Sequence, residues 1–119
     1  MDRWPKELPL EALAEWLNQR FDGTLMGHLG MLALKVGEER AVVELPVHQG
    51  LTTPSDHVHA GSMASLADTA ATFAAMAASG REMTLEQRPV AVRISSQIVA
   101  NVQKGMLRAE ARWLIRAAP

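Results

Sequence analysis

His57-Val58-His59-Ala60-Gly61-Ser62-Met63-Ala64-Ser65-Leu66-Ala67-Asp68-Thr69-Ala70-Ala71-Thr72-Phe73-Ala74-Ala75-Met76-Ala77-Ala78-Ser79-Gly80 is the stretch on which the fold turns. Alanine is the strongest helix former, and this run is dense in it. Gly80 supplies a stop signal just past the end. The run is small and apolar on every side, which predicts a helix surrounded by protein. One charge breaks it. Asp68 stands near the middle, about two turns from the start. A carboxylate inside a core needs a partner, a shifted pKa or a chemical task.

The flanking sequence supplies what surrounds this helix. Leu8 to Arg20 predicts a short amphipathic helix, with Leu10, Leu13, Ala14, Leu17 and Phe21 on one face. Asp22-Gly23 ends it. Trp4 and Trp16 are expected to pack it onto the rest. Gly27 to Val36 predicts a first strand and Arg40 to Val47 a second, joined by the turn Gly37-Glu38-Glu39. His28 and His48, at the outer ends of these strands, are expected to be surface or satisfied histidines. Gln49 to Val58 reads as a loop, with Thr53 extended before Pro54.

After the long helix, Arg81 to Arg88 is a polar connection. Val90 to Val102 and Met106 to Arg116 then predict two strands around the turn Gln103-Lys104-Gly105. In the last strand Leu107, Ala109, Ala111, Trp113 and Ile115 alternate with Arg108, Glu110, Arg112, Leu114 and Arg116. Helix, hairpin, long helix and antiparallel strands give a single α+β domain over residues 1–119, its sheet curved around the alanine-rich helix.

Composition narrows the function. A chain of 119 residues supports a core of its own. A formal net charge of -1 gives no basic field for nucleic acid. No cysteine is present, so disulfide, thiolate and zinc-thiolate chemistry are excluded. Met1 to Glu7 has no apolar h-region, and Asp68 sits in the middle of the most apolar run; the expectation is a cytoplasmic protein with no membrane segment.

The head of the long helix carries the chemistry. A helix N-terminus offers free backbone N–H groups and the positive end of the dipole. Ala60 and Gly61 are small enough for a ligand oxygen to approach, which suits an anion or a carbonyl becoming an oxyanion. Asp68 lies two turns past Gly61 on roughly the same side, and Thr72, at i+4, can reach its carboxylate. An electrophile-polarising end and a carboxylate on one line are what acyl transfer to water requires.

These residues carry a family resemblance. His59-Ala60-Gly61-x-x-x-x-Leu66-Ala67-Asp68-Thr69-Ala70 resembles the His-Gly-Gly…Leu-Ala-Asp signature of hotdog-fold acyl-CoA thioesterases, nearest the phenylacetate-pathway and 4-hydroxybenzoyl-CoA branch. The resemblance implies an antiparallel sheet wrapped around a central helix. It implies hydrolysis of an aryl- or medium-chain acyl-CoA to a carboxylate and CoA, without metal or redox cofactor. Asp68 falls at the catalytic base or nucleophile, and the Ala60 and Gly61 N–H groups fall at the carbonyl-polarising position. His59 falls at the residue that shapes the loop and helix start, and Thr72 at a hydroxyl that helps hold the carboxylate. Thr53, Arg88, Arg93 and Ser95 are the substrate-binding candidates, with Lys104 and Arg108 as further basic residues for the phosphates of CoA. The resemblance also implies a homodimer, or a homotetramer built as a dimer of dimers, with the site at the dimer interface.

Three departures stand out. Ala60 replaces the usual glycine. Thr53 stands six residues before His59, where Asn or Gln is usual. The chain ends at Ala117-Ala118-Pro119, two strands earlier than the family pattern. Other readings follow from the residues themselves: Asp68 as a structural carboxylate satisfied by Thr72, an Asp56-His57-x-His59 metal cluster, and a non-catalytic acyl-CoA-binding protein. An enoyl-thioester hydratase would carry Asp five residues before His59, where this chain has Pro54.

Overall fold

The structure is a computed structural model, and it describes residues 5, 7–78, 92–98 and 105–113, with 92–98 and 113 as backbone. A 3₁₀ turn, Leu10–Ala12, leads into α1, Leu13–Asn18. Helix α2 (Leu25–Leu29) precedes β1 (Leu32–Val36) and β2 (Arg40–Pro46). A second 3₁₀ turn, Gln49–Leu51, precedes the long helix α3, Ala60–Ala78; strands β3 (Val92–Ile98) and β4 (Met106–Trp113) follow. The four strands form one antiparallel sheet in the order β1-β2-β4-β3. This is the α+β arrangement the sequence pattern predicts, with the antiparallel sheet against a long helix that the resemblance implies. Among the described residues no fifth strand is present. Residues 114–119 lie outside the described residues, as do Trp4, Arg88 and Lys104.

The sheet binds α3 by alternation. Ala41, Val43 and Leu45 of β2 and Leu107, Ala109 and Ala111 of β4 are buried. α3 packs across β2, β4 and β3, presenting Leu66, Ala70, Phe73, Ala74 and Ala77. The small residues of α3 allow a close approach of helix to sheet. Helix α1 closes one end through Leu13 and Leu17, and Phe21 stacks on Phe73 with ring centroids 6.1 Å apart. Trp16 packs partly against the same core.

Two expectations are corrected. The first concerns the start of strand one. Residues Leu25–Leu29 are helical, capped by Gly30 in the left-handed conformation (φ 89°), and β1 begins only at Leu32. Gly27 sits where its backbone passes against Phe21, a closeness that leaves no room for a side chain at this position. Within β1 the register slips between Ala33 and Lys35. Met31, Ala33 and Val36 therefore face the core, while Leu32 and Leu34 are exposed. The second concerns α3, which is covered on one side only. Gly61, Ala64, Asp68 and Thr72 form a bare stripe opposite the buried one.

Candidate functional site

The loop before α3 is folded back on itself. Thr52 bridges Val58, and the Thr53 N–H donates to the His57 carbonyl at 2.7 Å. Asp56 turns the chain with φ 63°, a conformation aspartate tolerates better than most residues. The Leu51 carbonyl accepts both the His59 N–H (2.8 Å) and the buried Ser62 hydroxyl (3.2 Å). With Leu51 and Val58 buried beneath, the head of α3 is fixed to the sheet end.

His59 caps the helix. Its Nδ1 accepts the Gly61 N–H at 2.7 Å, and its carbonyl accepts the Ser62 N–H at 2.9 Å. Of the two backbone donors expected at this helix head, Gly61 is thus engaged. The Ala60 N–H has no hydrogen-bond partner among the described residues. Gly61 is glycine for a steric reason: a Cβ there would stand 2.9 Å from Nδ1 of His59 and 3.1 Å from Cε1. The same device occurs eleven residues earlier. His48 Nδ1 accepts the Gly50 N–H at 3.1 Å, its Nε2 lies 2.8 Å from the Leu29 carbonyl, and a Cβ on Gly50 would stand 2.9 Å from its Cε1. The pattern His-x-Gly at 48–50 and 59–61 is legible in the sequence, but sequence reasoning missed its capping role.

Asp68 is exposed rather than buried, two turns down the bare stripe from Gly61, with Thr72 one turn further. Neither the carboxylate of Asp68 nor the hydroxyl of Thr72 has a hydrogen-bond partner among the described residues, so the expected Thr72–Asp68 contact is not made. The neighbouring Thr69 hydroxyl bonds instead to the Ser65 carbonyl at 2.8 Å. Ala60 and Asp68 are eight residues apart, about 12 Å along the axis.

The substrate-binding candidates scatter. The Thr53 hydroxyl accepts the Ser55 N–H at 3.2 Å and belongs to the turn. Arg93 and Ser95 occupy register positions opposite Arg112 and Glu110, on the sheet face away from α3. Arg108 is ion-paired with Glu44. Asp56, His57 and His59 do not gather: among the described residues no three His, Cys, Asp or Glu side chains come close enough to hold a metal ion. Nor is any described helix long and apolar enough to cross a membrane.

Residues 56–114 match the family model of the thioesterase superfamily. The fold is similar to that of a thioesterase from Haemophilus influenzae, with TM-score 0.66 and 24% identity over 96% of this chain and 74% of that one. The AziG protein of S. sahachiroi aligns with TM-score 0.63 and 26% identity over 81% of this chain and 75% of that one. Zebrafish thioesterase superfamily member 2 aligns with TM-score 0.64 and 19% identity, covering 93% of this chain and 79% of that one.

Proposed function

Because the chain belongs to the hotdog-fold thioesterase superfamily, we propose that it hydrolyses an aryl- or medium-chain acyl-CoA to the carboxylate and CoA. The Ala60 N–H donates a hydrogen bond to the thioester carbonyl oxygen, and Asp68 acts as base or nucleophile. The observation that supports this reading is the arrangement of α3: an unengaged backbone donor at its head and an exposed carboxylate on the stripe below. As the carbonyl carbon is attacked, negative charge collects on its oxygen, and a donor fixed by the His59 cap stabilises it without reorganisation. The carbon–sulfur bond then breaks and the sulfur leaves as the thiolate of CoA. As a base, Asp68 takes a proton from the attacking water and passes it to that sulfur; as a nucleophile, it forms an anhydride, and the water that cleaves the anhydride releases the proton that the thiolate takes up.

Geometry favours a shared site. A carboxylate attacking a carbonyl held at Ala60 must lie within about 6–7 Å of that N–H. The separation of about 12 Å along one helix is larger than that. We therefore place the Ala60 N–H of one copy against the Asp68 carboxylate of another in a homodimer, itself able to pair into a tetramer. The bare stripe Gly61, Ala64, Asp68 and Thr72 is the surface this pairing would cover.

A second reading, an acyl-CoA-binding protein without turnover, has one observation in its favour. The Thr53 oxygen accepts the Ser55 N–H, a bond that ties it into the turn before α3, and threonine lacks the amide usual at this position. Thiol release from a panel of aryl- and fatty acyl-CoAs separates the two. Turnover by wild type that falls at least about 100-fold in Asp68→Asn supports hydrolysis through Asp68. Binding of CoA without turnover on any member supports the second reading. Equal turnover by the variant removes Asp68 from the mechanism.

A further inference from the structure

The face of the sheet turned away from α3 carries an imbalance of charge. The register places Arg40, Arg112 and Arg93 directly opposite one another across β2, β4 and β3. Adjacent cross-strand positions lie about 5 Å apart, and like charges so placed destabilise a sheet. One row along, the three positions are Val42, Glu110 and Ser95; the next row holds Glu44, Arg108 and Gln97. Glu44 and Arg108 pair one to one. Glu110 has to serve two guanidiniums: its Oε1 accepts from Arg40 Nη1 at 3.3 Å and from Arg112 Nε. Glu38 and Glu39 precede Arg40 in the turn and lie off the ladder.

We propose that this row is a binding site for a diphosphate group, bridged between the guanidiniums of Arg40 and Arg112. Both arginines stand on paired strands and are drawn toward one carboxylate oxygen, so their positions are set before any ligand arrives. Each uses one N–H on Glu110, and each keeps further fork donors without a partner among the described residues. Both side chains are solvent-accessible. A planar guanidinium binds phosphate oxygens in pairs, which an ammonium does not. The site lies on the opposite side of the sheet from Ala60 and Asp68, so it stands independently of the thioesterase reading. The diphosphate comes either from the free inorganic anion or from a nucleotide-type carrier such as CoA.

Calorimetric titration of the full chain with inorganic pyrophosphate and with CoA, at low salt, tests it. Pyrophosphate binding is expected, weakened at least tenfold in Arg112→Gln and in Arg40→Gln and less than twofold in Arg108→Gln. Arg112→Lys, which keeps the charge and loses the fork, falls between wild type and Arg112→Gln; it serves if the glutamine variant does not fold. CoA that displaces pyrophosphate identifies the carrier as the source, and CoA that does not identifies the free anion. Absence of pyrophosphate binding at millimolar concentration overturns the proposal. So does an Arg108→Gln loss equal to that of Arg112→Gln, since the attraction would then be one of general charge.

Discussion

The ring of His59 accepts the backbone N–H of Gly61 at 2.7 Å, and by doing so leaves Ala60 as the open donor at the head of α3. A helix cap of this kind contributes about 1 kcal/mol. His59→Ala is expected to lower stability by about that amount. It also frees the Gly61 N–H to compete for the ligand oxygen, reducing thioester turnover about tenfold, the equivalent of ~1.4 kcal/mol. His59→Asn keeps a side-chain acceptor and is expected to recover most of the stability. Urea titration and thiol release on the same preparations check both.

Gly61 and His59 are expected to behave as one unit. A Cβ at position 61 stands 2.9 Å from His59 Nδ1, so Gly61→Ala displaces the ring and costs about what His59→Ala costs. The double variant is then expected to lose little more than either single one, since contacting residues are not additive. Gly50→Ala and His48→Ala make the same cycle at the earlier cap, where the readout is stability alone. Fully additive losses at either cap would show that the ring and the glycine act separately.

Gly27→Ala is expected to be more damaging than any other glycine-to-alanine change among the described residues. Its Cβ would fall 2.2 Å from the Phe21 carbonyl oxygen and 2.9 Å from the carbonyl carbon. Backbone atoms have no rotamer to escape into, so α2 or the chain at Phe21 must move. The cost is about 1–3 kcal/mol, as for overpacked sites, read as a lower urea midpoint at unchanged slope.

Much of this was legible in the sequence. The strand alternation in Leu107 to Arg112 carries its own instructions, because a period of two has only two faces to choose from. The bare and buried sides of α3 were not legible. Alanine, serine and glycine occupy both, so position in the fold decides which side is covered, and the charge at Asp68 suggested burial where the structure gives exposure. The helix at Leu25–Leu29 was hidden for another reason. Leu29, Met31, Leu32, Leu34 and Val36 look like one strand, but the left-handed Gly30 and the slip after Ala33 divide them into a helix end and a bulged strand.

Glu110 gives a pH dependence with a definite sign. The hydrogen bond from Arg112 holds its carboxyl below the ordinary value, with the charge of Arg112 and the contact from Arg40 acting the same way against partial desolvation. A lowered folded-state pKa contributes stability that is present above the unfolded carboxylate value and lost as pH falls through the folded one. The side chain is partly exposed, so solvent screening keeps the contribution small. Between pH 7 and pH 3 the difference in urea midpoint between wild type and Glu110→Gln is expected to shrink, with wild type the more stable at pH 7. A difference that stays constant across that range would remove the carboxylate from the acid response.

Asn18 bonds both backbone groups of Ala33 at once: its Nδ2 donates to the carbonyl at 2.8 Å and its Oδ1 accepts the N–H at 2.7 Å. Ala33 lies on β1, an edge of the sheet, so this one amide does for that residue what a further strand would do for the whole edge. Asn18→Ala leaves a donor and an acceptor partly buried without partners, and is expected to cost about 1–3 kcal/mol. Asn18→Asp separates the two bonds. An ionised carboxylate still accepts the N–H but places an oxygen against the Ala33 carbonyl, which disfavours the charged form and raises its folded-state pKa. Protonation restores one donor and one acceptor. This variant is therefore expected to gain stability relative to wild type as pH falls from 7 toward 4, the opposite direction to the loss through Glu110. If Asn18→Asp and Asn18→Ala instead follow the same pH course, the two-way bond to Ala33 is not what holds α1 to the edge of the sheet.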